Sequence, residues 1–120
     1  IYDAAVLWRK NSYIPSTMMC VSFQMKKHLS LGKGGIILLD NEEDADILRQ
    51  IRYDGRPELE SPWADQDIKL FGYHYQMTFE TAEMGVNKFQ EAVYREPKQW
   101  TWKDYPNLSE YKIFEKGVLH

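Results

Sequence analysis

The sequence predicts a mixed α/β unit, and three features carry that expectation. Two short apolar runs, MMCVSF at 18–23 and GIILLD at 35–40, read as strands. A capped helical stripe follows the second run at once, and a second helical stripe begins at Thr78. Strand, loop, strand and capped helix in that order belong to mixed α/β architecture.

MMCVSF follows Pro15 and Ser16 and is apolar almost throughout, as a buried strand should be. GIILLD is rich in branched aliphatics, which predicts a strand covered on both faces. Asn41 supplies a helix cap, and Glu42, Glu43 and Asp44 suit the positive end of the helix dipole. Ala45, Ile47, Leu48 and Ile51 form the apolar stripe, with Gly55 as its stop. Residues 56–71, with Pro57 and Pro62, are expected to be irregular. Thr78 caps the second helix, whose Phe79, Ala82, Val86, Phe89 and Val93 keep helical spacing up to Pro97.

The remaining stretch is aromatic and weakly patterned. The expected organisation is therefore one α/β region over 1–96 and an unassigned aromatic tail over 97–120. Two buried-type strands need more sheet and more helices than this chain contains. The chain also opens at Ile1 on IYDAAVLW, which reads as the middle of a strand-to-helix passage. Both features predict a central fragment, incomplete at both ends, whose core is completed by further chain or by an oligomer.

A length of 120 residues is one domain's worth. The net charge of -3 gives no field that would steer nucleic acid. The single cysteine, Cys20, rules out an intrachain disulfide and a cysteine-based zinc site, and it fits a reducing cytoplasm. No apolar run approaches the roughly 18 residues of a membrane span, and nothing resembles a signal peptide.

The stretch SFQMKKHLSLGKGG, between the two strand-like runs, carries the candidate chemistry. It is not a Walker loop, because Lys33 is followed by Gly34 rather than by the hydroxyl that would hold magnesium. It is not a dinucleotide fingerprint, because the glycines lead into a strand and not a helix. Gly32, Gly34 and Gly35 are instead expected to allow a sharp turn with positive φ. His28, His74 and His120 show no metal-ligand spacing and are read as surface or packing residues. Trp63, Trp100 and Trp102 are read as core or interface anchors.

The lysines permit a sharper reading. A lysine just past a buried strand, in a glycine-rich loop, can be partly desolvated and so freed to condense with a carbonyl cofactor. A cofactor such as pyridoxal phosphate also needs an acid at its ring nitrogen and a hydroxyl at its phosphate. Asp3, Ser22, and Lys26 or Lys27 can meet those demands.

In these residues the sequence resembles the DegT/DnrJ/EryC1/StrS family of sugar aminotransferases. The family's lysine signature is S-F-x-x-x-K followed by G-x-G-G, and this chain has Ser22, Phe23, Lys27, Gly32, Gly34 and Gly35. That spacing selects Lys27 over Lys26. The likeness continues through IILLDNEEDADILRQIRYDGR. YDAA resembles the family's E-D-A-A, and GYHYQMTFETAEMG resembles G-Y-N-Y-R-M followed by a helix. The similarity covers roughly residues 1–93.

The resemblance implies part of the large domain of a fold type I pyridoxal phosphate-dependent transferase, a mixed sheet with flanking helices. It implies Lys27 as the Schiff-base lysine, Asp3 as partner of the ring nitrogen and Ser22 as a phosphate ligand. His74 stands where the family has an asparagine that reaches the cofactor phosphate of the partner subunit. The implied substrates are a nucleotide-linked keto sugar and glutamate or glutamine, in a cytoplasmic homodimer with neither nucleic acid nor membrane as partner. The chain departs from the family at His74, at Gln76 in place of arginine, at Val6 and at Lys33. It also lacks the family's N-terminal half and full C-terminal domain. These departures keep two alternatives open: an inactive fragment that folds or oligomerises, and a binding module that retains a phosphate pocket.

Overall fold

The computed structural model describes residues 1–58 and 61–114. Its centre is a three-stranded sheet in the order β1 (Tyr2–Asp3), β2 (Met19–Ser22), β3 (Gly35–Leu38). β1 runs parallel to β2, with Tyr2 opposite Met19 and Asp3 opposite Cys20. β2 runs antiparallel to β3, with Met19 opposite Leu38 and Ser22 opposite Gly35. The sheet is thus mixed, as the sequence predicts.

Side chains alternate across a strand, so β2 divides its residues between two faces. Met19 and Val21, continued by Phe23, are buried, whereas Cys20 and Ser22 are only half-buried. The buried face joins Ala4, Leu29, Leu31 and Ala92 in the core. Helix α2 (Phe79–Tyr94) covers that face. Trp8 bridges it to the sheet, edge-on to Phe23 at 5.4 Å and to Phe89 at 6.0 Å. Gly85 lets the helix approach, because a Cβ there would stand 3.2 Å from the Leu31 methyl.

Both helices start where the sequence predicts. Asn41 Oδ1 accepts the Asp44 N–H at 2.8 Å ahead of α1 (Glu42–Arg52), and Thr78 Oγ1 accepts the Thr81 N–H at 3.4 Å ahead of α2. α1 ends in two successive left-handed residues, Asp54 at φ 58° and Gly55 at φ 76°, which reverse the chain. The described residues of the 56–71 stretch are irregular apart from a single turn of 3-10 helix at Trp63–Asp65. The tail consists of 3-10 turns at Trp102–Asp104, Leu108–Glu110 and Lys112–Phe114. Residues 115–120 of the expected tail, His120 among them, lie outside the described residues.

Two expectations need correction. β3 is not covered on both faces: Gly35, Ile36 and Ile37 are exposed, and Leu38 is half-buried. It is an edge strand, with β2 as its one neighbour in the sheet. Trp63 and Trp102 are not core anchors either, being 71% and 80% exposed.

No described helix is long and apolar enough to cross a membrane. The surface is large for the mass. A compact chain of 14.2 kDa exposes about 6,800 Å², whereas this one exposes 10008 Å². Its radius of gyration is 18.4 Å, against about 14 Å expected for a compact domain of this length. Ile36, Ile37, Ile47, Phe71 and Val86 are among the large apolar side chains left in solvent. α2 covers one face of the sheet, and the other face stands largely open.

Candidate cofactor-lysine site

The open face carries two of the expected site residues. Residues paired across neighbouring strands point the same way, so Asp3 and Cys20 share a face, and Ser22, two residues beyond Cys20, shares it too. Asp3 closes β1, and its Oδ1 accepts the Ala5 N–H at 3.0 Å in a local turn that orients the carboxylate. Ser22 Oγ accepts the Gln24 N–H at 3.3 Å, which leaves the hydroxyl hydrogen to donate elsewhere.

Beyond Ser22 the chain winds into a loop pinned at both ends. The Phe23 N–H donates to the Gly34 carbonyl at 2.9 Å, and the Leu31 N–H donates to the Phe23 carbonyl at 2.9 Å. Inside the loop a turn forms where the Lys27 N–H donates to the Gln24 carbonyl at 2.8 Å. Leu29 and Leu31 anchor it in the core. Gly32 and Gly34 both sit at φ 89°, the left-handed region that the sequence predicts for the turn. Gly35 serves a different purpose, because a Cβ there would stand 2.5 Å from the Val21 carbonyl oxygen across the sheet.

Lys27 is half-buried and its neighbour Lys26 is exposed. Among the described residues, the Lys27 amine makes no ion pair and no hydrogen bond.

His74 belongs to another neighbourhood. It is 81% exposed on its side chain, with Nδ1 3.2 Å from Asp54 Oδ2. Its main chain bridges to Tyr53 at the end of α1. The structure brings Asp3 and Ser22 onto one face and sets Lys27 in the loop that follows, but it gives His74 no contact with any of them. Met77, three residues on from His74, packs against the glycine loop: a Cβ on Gly34 would stand 3.1 Å from its methyl.

Two hollows are found elsewhere. The larger, about 510 Å³, lies at the other end of the sheet, between Tyr2, Thr17, Asp40 and Asn41. The smaller, about 260 Å³, lies beside α1 between Asp46, Arg49 and Glu58. Neither includes Asp3, Ser22 or Lys27.

The sequence profile of the DegT/DnrJ/EryC1/StrS aminotransferase family matches residues 14–103. The chain belongs to this family. It is also similar to an uncharacterized protein of Methanocaldococcus jannaschii, 32% identical over 78 residues, which are 59% of this chain and 20% of that protein. The chain thus spans about a fifth of the length of the curated relative it matches.

The DegT/DnrJ/EryC1/StrS match contains Ser22, Lys27 and His74, and it begins after Asp3. It also runs past residue 96, the expected boundary, into the aromatic tail. The family is generally dependent on pyridoxal phosphate, and the expected donors are chemically of the kind such a group needs. Asp3 keeps one carboxylate oxygen uncommitted, Ser22 keeps a hydroxyl hydrogen, and Lys27 has no ion-pair partner among the described residues.

Residues outside the expected set also shape this region. His28 Nε2 lies 2.6 Å from the Ala92 carbonyl oxygen on α2, and Arg95 donates to the His28 carbonyl at 2.6 Å. The histidine beside Lys27 is therefore committed to the helix. No local spacing announces this, since the two partners are 64 residues apart. Arg56 was equally silent in the sequence. It is buried, with its guanidinium 4.4 Å from the Tyr53 ring centre and 4.0 Å from that of Trp63.

Proposed function

We propose that this chain carries the cofactor-lysine segment of a pyridoxal phosphate-dependent aminotransferase acting on nucleotide-linked keto sugars. The observation that carries the reading is the common sheet face of Asp3 and Ser22, continued into the pinned loop that bears Lys27. Membership of the DegT/DnrJ/EryC1/StrS family supports it.

When bound, pyridoxal phosphate supplies an electron-withdrawing ring that carries an amino group from donor to acceptor. Lys27 Nζ would hold the cofactor and, when free of it, would serve as the base and acid that moves a proton. Asp3 would stand at the ring nitrogen and keep a proton on it. Ser22 donates its hydroxyl hydrogen to the phosphate, a charge-assisted bond that orients the group. The net exchange would move the amino group of glutamate or glutamine to the sugar's ketone carbon, leaving a carbonyl on the donor carbon that bore it and an amine on the sugar. His74, remote from this face, serves the site of a second copy in a homodimer. The cytoplasm, where nucleotide sugars are made, is the matching compartment.

A second reading is favoured by the uncovered surface and by the changes at His74 and Gln76. In it the chain folds, and associates through its open face, without catalysing transfer. Visible absorbance separates the two. On addition of pyridoxal phosphate to the purified chain, the first reading predicts a new visible band, distinct from that of free cofactor, that Lys27→Ala abolishes. The second predicts the spectrum of free cofactor with both proteins.

A further inference from the structure

We infer that His28 and Arg95 act as a positioning clamp that fixes the Lys27 loop to the C-terminal turn of α2, an inference that rests on reading Lys27 as the cofactor lysine. The last carbonyls of any helix lack an intrahelical donor. In α2 the Arg95 N–H takes the Glu91 carbonyl, and the next carbonyl, that of Ala92, receives the His28 ring at 2.6 Å. Nε2 is therefore the donor, and the ring ties its loop to the helix end. The bond is returned, since one arm of the Arg95 guanidinium donates to the His28 carbonyl at 2.6 Å. The other arm pairs with Glu91 at 3.1 Å, which aims the first.

His28 is thus held through both its side chain and its main chain, and buried Leu29 follows it. On the other side, the Lys27 N–H is held by the Gln24 carbonyl at 2.8 Å. With its neighbours fixed, Lys27 keeps only its own side-chain torsions. The seating of α2 on the sheet then determines where its amine stands. Neither clamp residue touches substrate or cofactor; both act through Lys27.

The first readout needs no cofactor. A brief pulse of acetic anhydride, followed by mass spectrometry, gives the acetylation of Lys27 relative to Lys26. In the wild type, half-buried Lys27 reacts more slowly than exposed Lys26. His28→Leu and, independently, Arg95→Ala raise the Lys27 share by about fivefold, the effect of losing one hydrogen bond on a local equilibrium. His28→Gln, whose amide N–H reaches about as far as Nε2, restores the wild-type ratio. Should His28→Leu unfold the chain, Arg95→Ala at an exposed site decides alone.

A Lys27 share unchanged in the folded variants, or one that His28→Gln fails to restore, overturns the clamp. The second readout is borohydride trapping of pyridoxal phosphate on the same proteins. If the wild type traps none on Lys27 while the acetylation ratios move as expected, the clamp stands and the cofactor reading falls. If trapping on Lys27 is strong and both ratios stay fixed, the cofactor reading stands and the clamp falls.

Discussion

Gly55 and Gly72 meet main chain to main chain, so that a Cβ on Gly72 would overlap the Gly55 nitrogen, and one on Gly55 would overlap the Leu70 carbonyl. This contact, with the Tyr73 N–H donating to the Ile51 carbonyl at 2.7 Å, ties the segment that bears His74 to the end of α1.

Gly72→Ala is therefore expected to destabilise the chain by more than about 2 kcal/mol, the range of overpacking and backbone displacement. The urea midpoint measures it. Gly32→Ala is the informative control: its φ of 89° is left-handed, as that of Gly72 is not, but nothing lies within 4 Å of the added methyl. Only the conformational term remains there, about 1–2 kcal/mol. Equal losses at the two sites would show that the close approach is not tight.

Asn41→Ala should lower stability by about 1 kcal/mol, the usual loss for a side-chain N-cap. Thr78→Ala should have a smaller effect, because its bond to the Thr81 N–H is longer, 3.4 Å against 2.8 Å. Helical circular dichroism through a urea titration ranks the two.

Arg56 lies between Tyr53 and Trp63 and donates to Gln66 Oε1 at 3.2 Å and to the Tyr53 hydroxyl at 3.3 Å. A guanidinium can stack on two rings while keeping its planar donors engaged, which an ammonium cannot do. Arg56→Lys should therefore destabilise by about 1–2 kcal/mol, the scale of a partly desolvated cation–π contact. It should also alter the fluorescence of Trp63, read in a variant whose other tryptophans are phenylalanine.

Asp40 gives a pH dependence of definite sign. The Ser16 N–H, at 2.9 Å, and then the Tyr13 hydroxyl hold its carboxylate below the ordinary 3.8, outweighing an opposing desolvation. A depressed folded-state pKa stabilises the fold fully above the unfolded value and loses that contribution as pH falls through the folded value. Asp40→Asn should leave the acid limb of stability below about pH 4 flatter than in the wild type. Urea midpoints between neutral and acidic pH measure it, and identical slopes would contradict the assignment.

What the sequence revealed was local. The caps at Asn41 and Thr78, the stop at Gly55 and the left-handed Gly32 and Gly34 each depend on neighbours within a few residues, and all appear where expected. What it hid was long-range. The aliphatic run in β3 shows that something should cover the strand, but not whether that cover comes from the same chain, and here Ile36 and Ile37 stay 38% and 41% exposed. Aromatic character marked Trp63 as an anchor without revealing that its partner is a buried arginine. His28 read as a surface or packing residue, with nothing nearby to name its partner, because that partner is on a distant helix. The demands of a cofactor suggested Asp3 and Ser22 together beforehand, but their shared face needed the register of β1 on β2, which local patterning does not give.

The most direct test of the central claim is where borohydride fixes pyridoxal phosphate on the chain. Peptide mapping distinguishes Lys26, Lys27 and Lys33, which share one short stretch but differ in setting. The account predicts the adduct chiefly on Lys27, with loss of most of the total label in Lys27→Ala and a reduced yield in Asp3→Asn. A label spread evenly over the three lysines, with the total unchanged by Lys27→Ala, would contradict it.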